Sequence, residues 1–447
     1  MAPSATVFAC SSCGHETPKW HGRCPGCGEW NTIAEEARAA PAGPSRKAGR
    51  ALRPVPLGEV KAPALERLAT GIGELDRVLG GGLVPGSLVL IGGAPGIGKS
   101  TLTSTALGNL AAAGRKVLYV SGEESAAQVR LRAERLGEAA LSVPVVAETD
   151  ADSVVATIEA ERPDVCVADS VQVLYDPTLS GSPGSVGQVR EVAGRLMRVA
   201  KERGVAVVLV GHVTKEGSLA GPRVLEHLVD CVLSFEGERE RTYRTLRALK
   251  NRFGSTNETG VFEMREQGLV EVEDASERFV SEATRGPGSV VLCAMEGSRP
   301  LLVEVQALVA PTELVPPRRV ANGVDRNRLA LVLAVLARHA GVSLSSSDVF
   351  VSVAGGVRVE EPGGDLAIAL AVASAAKGLE PAAPGGAPLA AFGELGLTGE
   401  VRHVAHPYRR LAEARKFGLT DVVHPGAADG VRAALAAALA GRPAEAA

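Results

Sequence analysis

Aromatic residues are scarce in this 447-residue chain, since tryptophan, tyrosine and phenylalanine together make up 3% of it. No apolar run approaches the roughly 18 residues that a membrane-spanning helix needs. The net charge is −3, so there is no overall basic field, and any contact with nucleic acid has to rely on a local patch. The N-terminus lacks a basic stretch followed by an apolar core, and we therefore expect a cytoplasmic protein.

Cysteine is also rare, and it is distributed unevenly, with four of the seven residues among the first 27 positions. Two residues lie between Cys10 and Cys13, two lie between Cys24 and Cys27, and ten lie between the pairs. Two such knuckles can supply four thiolates to one tetrahedral ion. A redox or disulfide pair is the alternative, but two matched knuckles in a cytosolic chain favour Zn²⁺.

Other side chains in this cysteine-rich head have simpler expected roles. Because four cysteines complete the ligand set, we expect His15 and His21 at the surface. Trp20 and Trp30 are expected to pack on the knuckles. A segment this short cannot build a core alone, so the metal should supply most of its folding energy.

The stretch GGAPGIGKST follows an apolar run and precedes a helical pattern, which is the setting of a phosphate-binding loop. In such a loop the backbone N–H groups face the β-phosphate, Lys99 reaches the β- and γ-oxygens, and Ser100 binds Mg²⁺. We expect ATP to be bound by Gly93, Ala94, Pro95, Gly96, Ile97, Gly98, Lys99, Ser100 and Thr101.

Apolar runs alternate with helical patterns after this loop, which predicts a mainly parallel sheet with helices on both faces. The predicted strands are KVLYV, VPVVA, DVCVAD, VAVVLVG and VDCVLSF. Asp169 ends one of them, where it is expected to hold Mg²⁺ with Ser100; a helix-capping role is the alternative. Glu123 and Glu124 follow another, and Glu123 is favoured to activate the attacking water while Glu124 suits a helix start.

Four motifs, TGIGELDRVLGGGLVPGS, SGEES, GHVTKEG and KNRFG, resemble those of the bacterial RadA/Sms family of RecA-like ATPases in recombinational repair. The likeness covers nearly the whole chain, and KNRFG is its most discriminating element. The resemblance implies a ring-shaped hexamer that moves along single-stranded and branched DNA and promotes branch migration. It also implies contact with a RecA-type recombinase. The same resemblance implies that Lys250 and Arg252 couple ATP to DNA movement, either as DNA contacts or as fingers on a neighbouring γ-phosphate.

Two glycine-rich insertions follow strand ends, and in RecA-like proteins the corresponding loops line the DNA channel. Lys215 and Arg223 would meet DNA phosphates there, and an ordinary flexible loop is the alternative. His212 resembles a phosphate-sensing residue, with a buried structural histidine as the alternative. The preceding arginines of the KNRFG segment are expected along a solvated edge strand: Arg239, Arg241 and Arg244.

The C-terminal part, with GELGLTGEVRHV, resembles the proteolytic domain of the Lon family. A Lon-type protease needs a serine nucleophile and a lysine base, but Gly363 and Tyr408 stand at the aligned positions. Asp365 is interpreted as a helix-start residue rather than a new acid. We therefore expect an inactive scaffold that also offers basic side chains to DNA, namely Arg402, Arg409 and Arg410.

These patterns together predict an α/β protein. Its parts are a four-cysteine zinc finger (1–33), a linker (34–63), a RecA-like ATPase domain with KNRFG (64–275) and an inactive Lon-like α+β domain (283–447). The expected function is that of a DNA-dependent ATPase acting as a hexameric helicase, using ATP, Mg²⁺ and Zn²⁺ and independent of membranes. An ATP-dependent Lon-like protease is the alternative, and a clock-like autokinase ranks lowest because there is a single phosphate loop.

Overall fold

A computed structural model describes residues 6–10, 13–37, 56, 59, 66–179, 181–213, 219–220, 224–237, 243–265, 268–272, 274–354, 357–381 and 387–439. The chain forms two compact units. The first comprises Met1–Glu236, Thr245–Thr256 and Met264–Glu271, and the second comprises Gly237–Arg244, Asn257–Glu263 and Val272–Ala447. None of the helices in the described ranges has both the length and the apolar character needed to span a membrane.

The cysteine-rich head is a small antiparallel sheet in the order β2-β1-β3. Its strands are β1 (Thr6–Cys10), β2 (Glu16–Thr17) and β3 (Ile33–Ala37). Among the residues described for the head, the buried apolar cluster consists of Cys10, Cys24 and Ile33, which is too little to stabilise a fold by itself. Trp20 and Trp30, expected to pack on the knuckles, are 57% and 69% exposed, and both rings lie beside Gly22.

A ten-stranded sheet organises the central part of the chain, with the order β13-β12-β11-β10-β4-β8-β7-β5-β6 and β9 paired to β8. The six strands from β10 to β6 in that order are parallel, which confirms the mainly parallel sheet. The elements are α1 (Gly73–Leu79), β4 (Leu88–Gly93), α2 (Lys99–Ala112), β5 (Val117–Ser121), α3 (Ala126–Glu134), α4 (Glu138–Leu141), β6 (Val145–Ala147), α5 (Ala151–Glu161), β7 (Val165–Asp169), α6 (Val186–Arg203), β8 (Ala206–Val213), β9 (Leu219–Ala220), α7 (Val224–Leu228), β10 (Cys231–Glu236), β11 (Tyr243–Asn251), β12 (Thr259–Arg265) and β13 (Gly268–Glu271).

Hydrophobic spacing explains these elements. Every residue of β4, β5 and β7 is buried, as expected of parallel strands covered on both faces. Along α6 the apolar residues Val189, Val192, Leu196 and Val199 recur every three or four positions and are buried, and the polar Gln188 is buried with them. Helix α6 ends at Gly204, whose φ of 72° lies in the left-handed region that glycine tolerates.

The second unit is built on a six-stranded mixed sheet, in the order β16-β17-β15-β14-β18-β21. Helix α10 packs against this sheet and is buried from Asp365 to Ser374, because its alanine-rich sequence has no polar face to keep in water. The elements are α8 (Ala275–Ser281), β14 (Ser289–Glu296), β15 (Arg299–Pro311), β16 (Arg319–Asn322), α9 (Arg326–His339), β17 (Ser347–Val353), α10 (Asp365–Lys377), β18 (Ala390–Ala391), β19 (Glu394–Leu395), β20 (Val401–Arg402), α11 (Pro407–Lys416), β21 (Val422–Val423) and α12 (Val431–Ala438).

The predicted solvated edge strand is the clearest error in the fold expectations. Strand β11 lies between β10 and β12, so it is not an edge. The side chain of Arg244 is also only 5% exposed, and burial lowers the pKa of its guanidinium. The other two arginines of that expectation, Arg239 and Arg241, lie outside the described residues.

Candidate nucleotide and metal sites

The predicted phosphate loop connects β4 to α2 and has the backbone geometry that such a loop requires. Gly96 and Gly98 have φ values of 75° and 118°, which residues with a Cβ adopt only at a cost. The loop tip at Ala94 and Pro95 is exposed, whereas Ile97 is buried and anchors the loop. The first amides of α2 therefore open onto a glycine-shaped cradle at the positive end of the helix dipole.

Lys99 lies inside this cradle. Its Nζ donates hydrogen bonds to the carbonyl oxygens of Gly93 (2.8 Å) and Ala94 (3.0 Å). Burial lowers the pKa of Lys99, and the negative charges of Asp169 and Glu123 oppose that shift. The fold therefore brings these three predicted side chains into one electrostatic environment, where phosphate oxygens would replace the two carbonyl oxygens as partners of the ammonium.

The parallel register explains why Asp169 shares an edge with the loop. Ser121 on β5 pairs with Asp169 on β7, which pairs with Val210 on β8, and Gly93 at the end of β4 pairs with His212 on β8. Strand β8 separates β4 from β7, and Asp169 is level with Ile91, two residues before Gly93, so the two strand ends are about 12 Å apart. This spacing suits a Mg²⁺ ion that the carboxylate holds through water.

The donor chemistry at this edge also fits the ion. Mg²⁺ prefers a few protein oxygen ligands together with substrate phosphates and water. Asp169 supplies a buried carboxylate and Ser100 supplies a hydroxyl on the first turn of α2. These two residues would hold the ion, and their assignment remains a prediction.

The two glutamates after β5 have different surroundings. The hydroxyl of Ser170 donates to the Glu123 carboxylate, and Glu123 is exposed at the strand edge. Glu124 instead forms an ion pair with Arg132 on α3, whose start is capped by Ser125. These contacts favour Glu123 over Glu124 as the group that activates water.

Sequence reasoning missed a contact beneath Asp169. The hydroxyl of Tyr119 donates to Asp169 Oδ2 at 2.6 Å, and Arg132 Nη2 donates to the Tyr119 oxygen at 2.8 Å. One signal was available, since Tyr119 is one of four tyrosines in the chain and interrupts an otherwise aliphatic strand. Its partners, however, are 50 and 13 residues away in sequence.

Lys250 and Arg252 lie at the opposite edge of the sheet from the phosphate loop. Lys250 on β11 pairs with Val232 near the start of β10, and the start of β10 pairs with Val89 near the start of β4. Val89 and Gly93 are four residues apart on one strand, a distance of about 13 Å. The two basic residues therefore do not contact the phosphate loop of their own chain.

Local contacts hold the KNRFG segment in this position. Lys250 Nζ donates to the backbone oxygens of Glu226 (2.6 Å) and Val229 (2.8 Å), at the end of α7. Arg252 donates to Asp230 Oδ1 at 3.0 Å and keeps about half of its side chain exposed. Both alternatives from the sequence remain open, DNA or a neighbouring subunit's nucleotide.

The two predicted DNA loops are described only in part. Lys215 and Arg223 lie outside the described residues, and of His212 only the backbone is described. In the loop after β7, the Gln188 amide donates to the backbone oxygens of Asp176 (3.1 Å) and Gly181 (3.3 Å), and Arg195 forms an ion pair with Asp176. This loop is therefore held at its base against α6.

The four head cysteines form a set that fits one tetrahedral ion. Their sulfur atoms all lie within 4.8 Å of one another, with Cys10 and Cys27 at 3.7 Å and Cys13 and Cys24 at 3.5 Å. Zn–S bonds of about 2.3 Å in a tetrahedron give S–S edges of about 3.8 Å. No histidine belongs to this cluster among the described residues, and His15 is exposed.

The position aligned with a Lon serine is filled by an ion pair. A Cβ on Gly363 would lie 3.0 Å from Glu361 Oε2 and 3.1 Å from Arg410 Nη1. Tyr408, aligned with the Lon lysine, is 86% exposed on α11. Asp365 begins α10 and accepts two hydrogen bonds of 2.6 Å from Arg328, so its expected place at a helix start is confirmed.

The prediction that Arg410 contacts DNA is wrong. Arg410 is fully buried, pairs with Glu361 and donates to the backbone oxygens of Cys293 (2.6 Å) and Ala405 (3.0 Å). An aromatic ring, that of Phe392, covers its guanidinium at 5.4 Å. The amphipathic pattern of α11 could not show that this position points inward. The other two arginines, Arg402 and Arg409, are exposed, and their role stays a prediction.

Comparison with known proteins decides the family. A family model described as a rubredoxin metal binding domain matches residues 8–35, and an AAA domain model matches residues 56–218. The DNA repair protein RadA of Bacillus subtilis (strain 168) is 49% identical over 434 residues, covering 96% of this chain and 94% of that protein. The chain belongs to the RadA family of DNA repair proteins.

Other RadA relatives agree. DNA repair protein RadA of Streptococcus pyogenes serotype M6 is 50% identical over 428 residues, covering 95% of this chain and 93% of the relative. A KaiC-like protein of Pyrococcus horikoshii OT3 has 22% identity and a TM-score of 0.39, covering 46% of this chain and 99% of its own. As a RadA-family protein, the chain has an N-terminal four-cysteine zinc ribbon and a central RecA-like P-loop ATPase domain, and its expected role in DNA repair is confirmed.

Proposed function

We propose that this RadA-family protein is a DNA-dependent ATPase that acts as a hexameric motor and promotes branch migration of recombination intermediates. The observation that carries the proposal is the position of Lys250 and Arg252, at the sheet edge opposite their own phosphate loop. Basic residues at this position can contribute to ATP-driven movement only by contacting another molecule, either DNA or the nucleotide of a neighbouring subunit. A ring of subunits around a strand satisfies both arrangements.

Within one subunit, the chain's own residues divide the hydrolysis between them. The loop amides and Lys99 bind and orient the phosphates, and Ser100 and Asp169 would hold Mg²⁺, which when bound supplies charge neutralisation at the β- and γ-oxygens. Glu123 orients the attacking water and accepts its proton. The hydrogen bond from Ser170 keeps the Glu123 carboxylate at the strand edge where that water must lie.

The part of the proposal that concerns DNA rests on the two loops that follow strands β7 and β8 of the ten-stranded sheet. Lys215 and Arg223 bind backbone phosphates of single-stranded or branched DNA, and the zinc ribbon contacts a RecA-type recombinase. Anchoring of the Asp176 loop through Gln188 and Arg195 supports this, because a channel loop held at its base can transmit movement of α6 to a bound strand.

The test combines nucleotide binding, ATPase and strand movement. We expect Lys250→Ala and Arg252→Ala to retain nucleotide binding and rings but to lose DNA-stimulated ATPase and branch migration. Lys201→Ala is the matched control, since Lys201 is an exposed lysine on α6. Unchanged branch migration in both KNRFG variants would refute the coupling role, and electron microscopy with DNA and a nonhydrolysable nucleotide tests the threaded ring directly.

The alternative of an ATP-dependent protease has less support. The Glu361–Arg410 ion pair occupies the space that a serine side chain at Gly363 would need. A casein degradation assay with ATP separates the two functions, and we expect no cleavage.

A further inference from the structure

A chain of hydrogen bonds runs from Asp169 to the surface of α3. Tyr119 donates to Asp169 Oδ2 (2.6 Å), Arg132 Nη2 donates to the Tyr119 oxygen (2.8 Å), and Arg132 Nη1 pairs with Glu124. Tyr119 is 2% exposed and Asp169 is also buried, so water competes weakly for these contacts. Four side chains, from β7, β5, α3 and the segment between β5 and α3, are thereby connected.

The order of donors and acceptors makes this chain directional. A carboxylate oxygen only accepts, so the Tyr119 hydroxyl is the donor to Asp169, and its oxygen accepts from Arg132 in turn. The Arg132 guanidinium, 5.7 Å from the centre of the Tyr119 ring, donates to the phenol oxygen and polarises its O–H bond. A polarised donor on a buried carboxylate forms a strong, short hydrogen bond.

An aspartate that binds a cation does so best when the orientation of its carboxylate is fixed. The terminal torsion of an aspartate side chain is broad, so an unsupported carboxylate samples many orientations. With Oδ2 engaged by Tyr119, the plane of the Asp169 carboxylate is set and Oδ1 is left for the cation and its water. Supporting contacts of this kind tune metal affinity in many sites.

We propose that Tyr119 and Arg132 are positioning residues that hold the Asp169 carboxylate for Mg²⁺ and connect it to helix α3, on which Arg132 lies. This inference rests on the proposed ATPase site. It also assigns Glu124 to anchoring Arg132, which leaves the neighbouring Glu123 for water.

The experiment measures metal affinity in the full-length protein with ADP present. Mn²⁺ replaces Mg²⁺ as the probe, and its binding is followed by electron paramagnetic resonance. We expect Tyr119→Phe to weaken Mn²⁺ binding by about 10- to 100-fold, with little change in ADP binding measured without added Mn²⁺ or Mg²⁺. Tyr243→Phe is the matched control, because that buried tyrosine also accepts a hydrogen bond from an arginine, Arg278 (3.2 Å), in the second unit.

The outcomes separate this inference from the proposed function. If the unaltered protein shows no ADP-dependent Mn²⁺ binding, the proposed nucleotide site fails. If it binds Mn²⁺ and Tyr119→Phe binds within twofold of it, the positioning role is overturned while the ATPase site stands. Thermal unfolding without added Mn²⁺ or Mg²⁺ checks that each variant folds. If Tyr119→Phe does not fold, Arg132→Gln replaces it: weaker Mn²⁺ binding by that variant supports the positioning role, and unchanged binding overturns it.

Discussion

Replacing Arg410 by methionine tests whether a buried ion pair holds the second unit together. The guanidinium is fully buried, pairs with Glu361 and donates to the backbone oxygens of Cys293 and Ala405. Removing one partner of such a pair leaves the other charge uncompensated and costs ~3–5 kcal/mol. In a unit of this size, that loss lowers the melting temperature by about 6–20 °C.

The assay is differential scanning calorimetry of the full-length protein. Hydrogen exchange of peptides from α11 shows whether the transition whose melting temperature falls is that of the second unit. The double variant Arg410→Met/Glu361→Met removes the orphaned charge and should recover about half of the loss. Recovery stays partial because the Met295 amide and the Cys293 carbonyl also lose their partners.

A matched control and a second readout make the reasoning refutable. Arg409→Ala changes the neighbouring exposed arginine on the same helix and should leave the melting temperature within about 1 °C. DNA binding below the transition should be unaffected in Arg410→Met. A shift smaller than about 2 °C in that variant, together with weaker DNA binding, would show that Arg410 is a surface contact and that the burial argument fails.

Three further predictions concern the first unit. Cys24→Ser should release zinc, measured with a chromogenic chelator, and disorder the head, while nucleotide binding persists. Cys166→Ala is the control, because it changes a buried thiol outside the cluster, and this variant should keep its zinc. Glu123→Gln should lower kcat for ATP hydrolysis by about 100-fold or more without weakening nucleotide binding. Glu124→Gln is the control and should lower kcat less. A larger loss of kcat in Glu124→Gln than in Glu123→Gln would show that Glu124 is the general base. Gly98→Ala should abolish binding of a fluorescent ATP analogue, because φ at this position is 118°, and normal affinity would mean that the loop tolerates another backbone path.

Short-range spacing made several features readable from the sequence. The two CxxC pairs and the phosphate loop are each defined by residues a few positions apart, and turn geometry requires glycine at places such as Gly96 and Gly98. The parallel sheet follows from the alternation of apolar strands and amphipathic helices. Because parallel strands end at a common edge, the sequence alone predicts that Asp169 and Glu123 lie near Lys99, and both charges do act on the Lys99 ammonium.

Contacts between distant residues could not be predicted in the same way. Tyr119 meets Asp169 across 50 positions, and Arg410 meets Glu361 across 49. Arg244 looked like part of a solvated edge because nothing local indicates that β12 covers the far side of β11. An arginine on an amphipathic helix has the same local pattern whether its guanidinium finds a buried carboxylate or water.

The sequence by itself determined the zinc ribbon, the phosphate loop and the parallel sheet, since each depends on spacing, backbone conformation and hydrophobic period within a short segment. Only the tertiary structure decided that Tyr119 contacts both Asp169 and Arg132, that Lys250 and Arg252 lie away from the phosphate loop of their own chain, and that the Glu361–Arg410 ion pair lies against Gly363. Burial and the pairing of charges depend on which elements pack together, and that is a property of the whole fold.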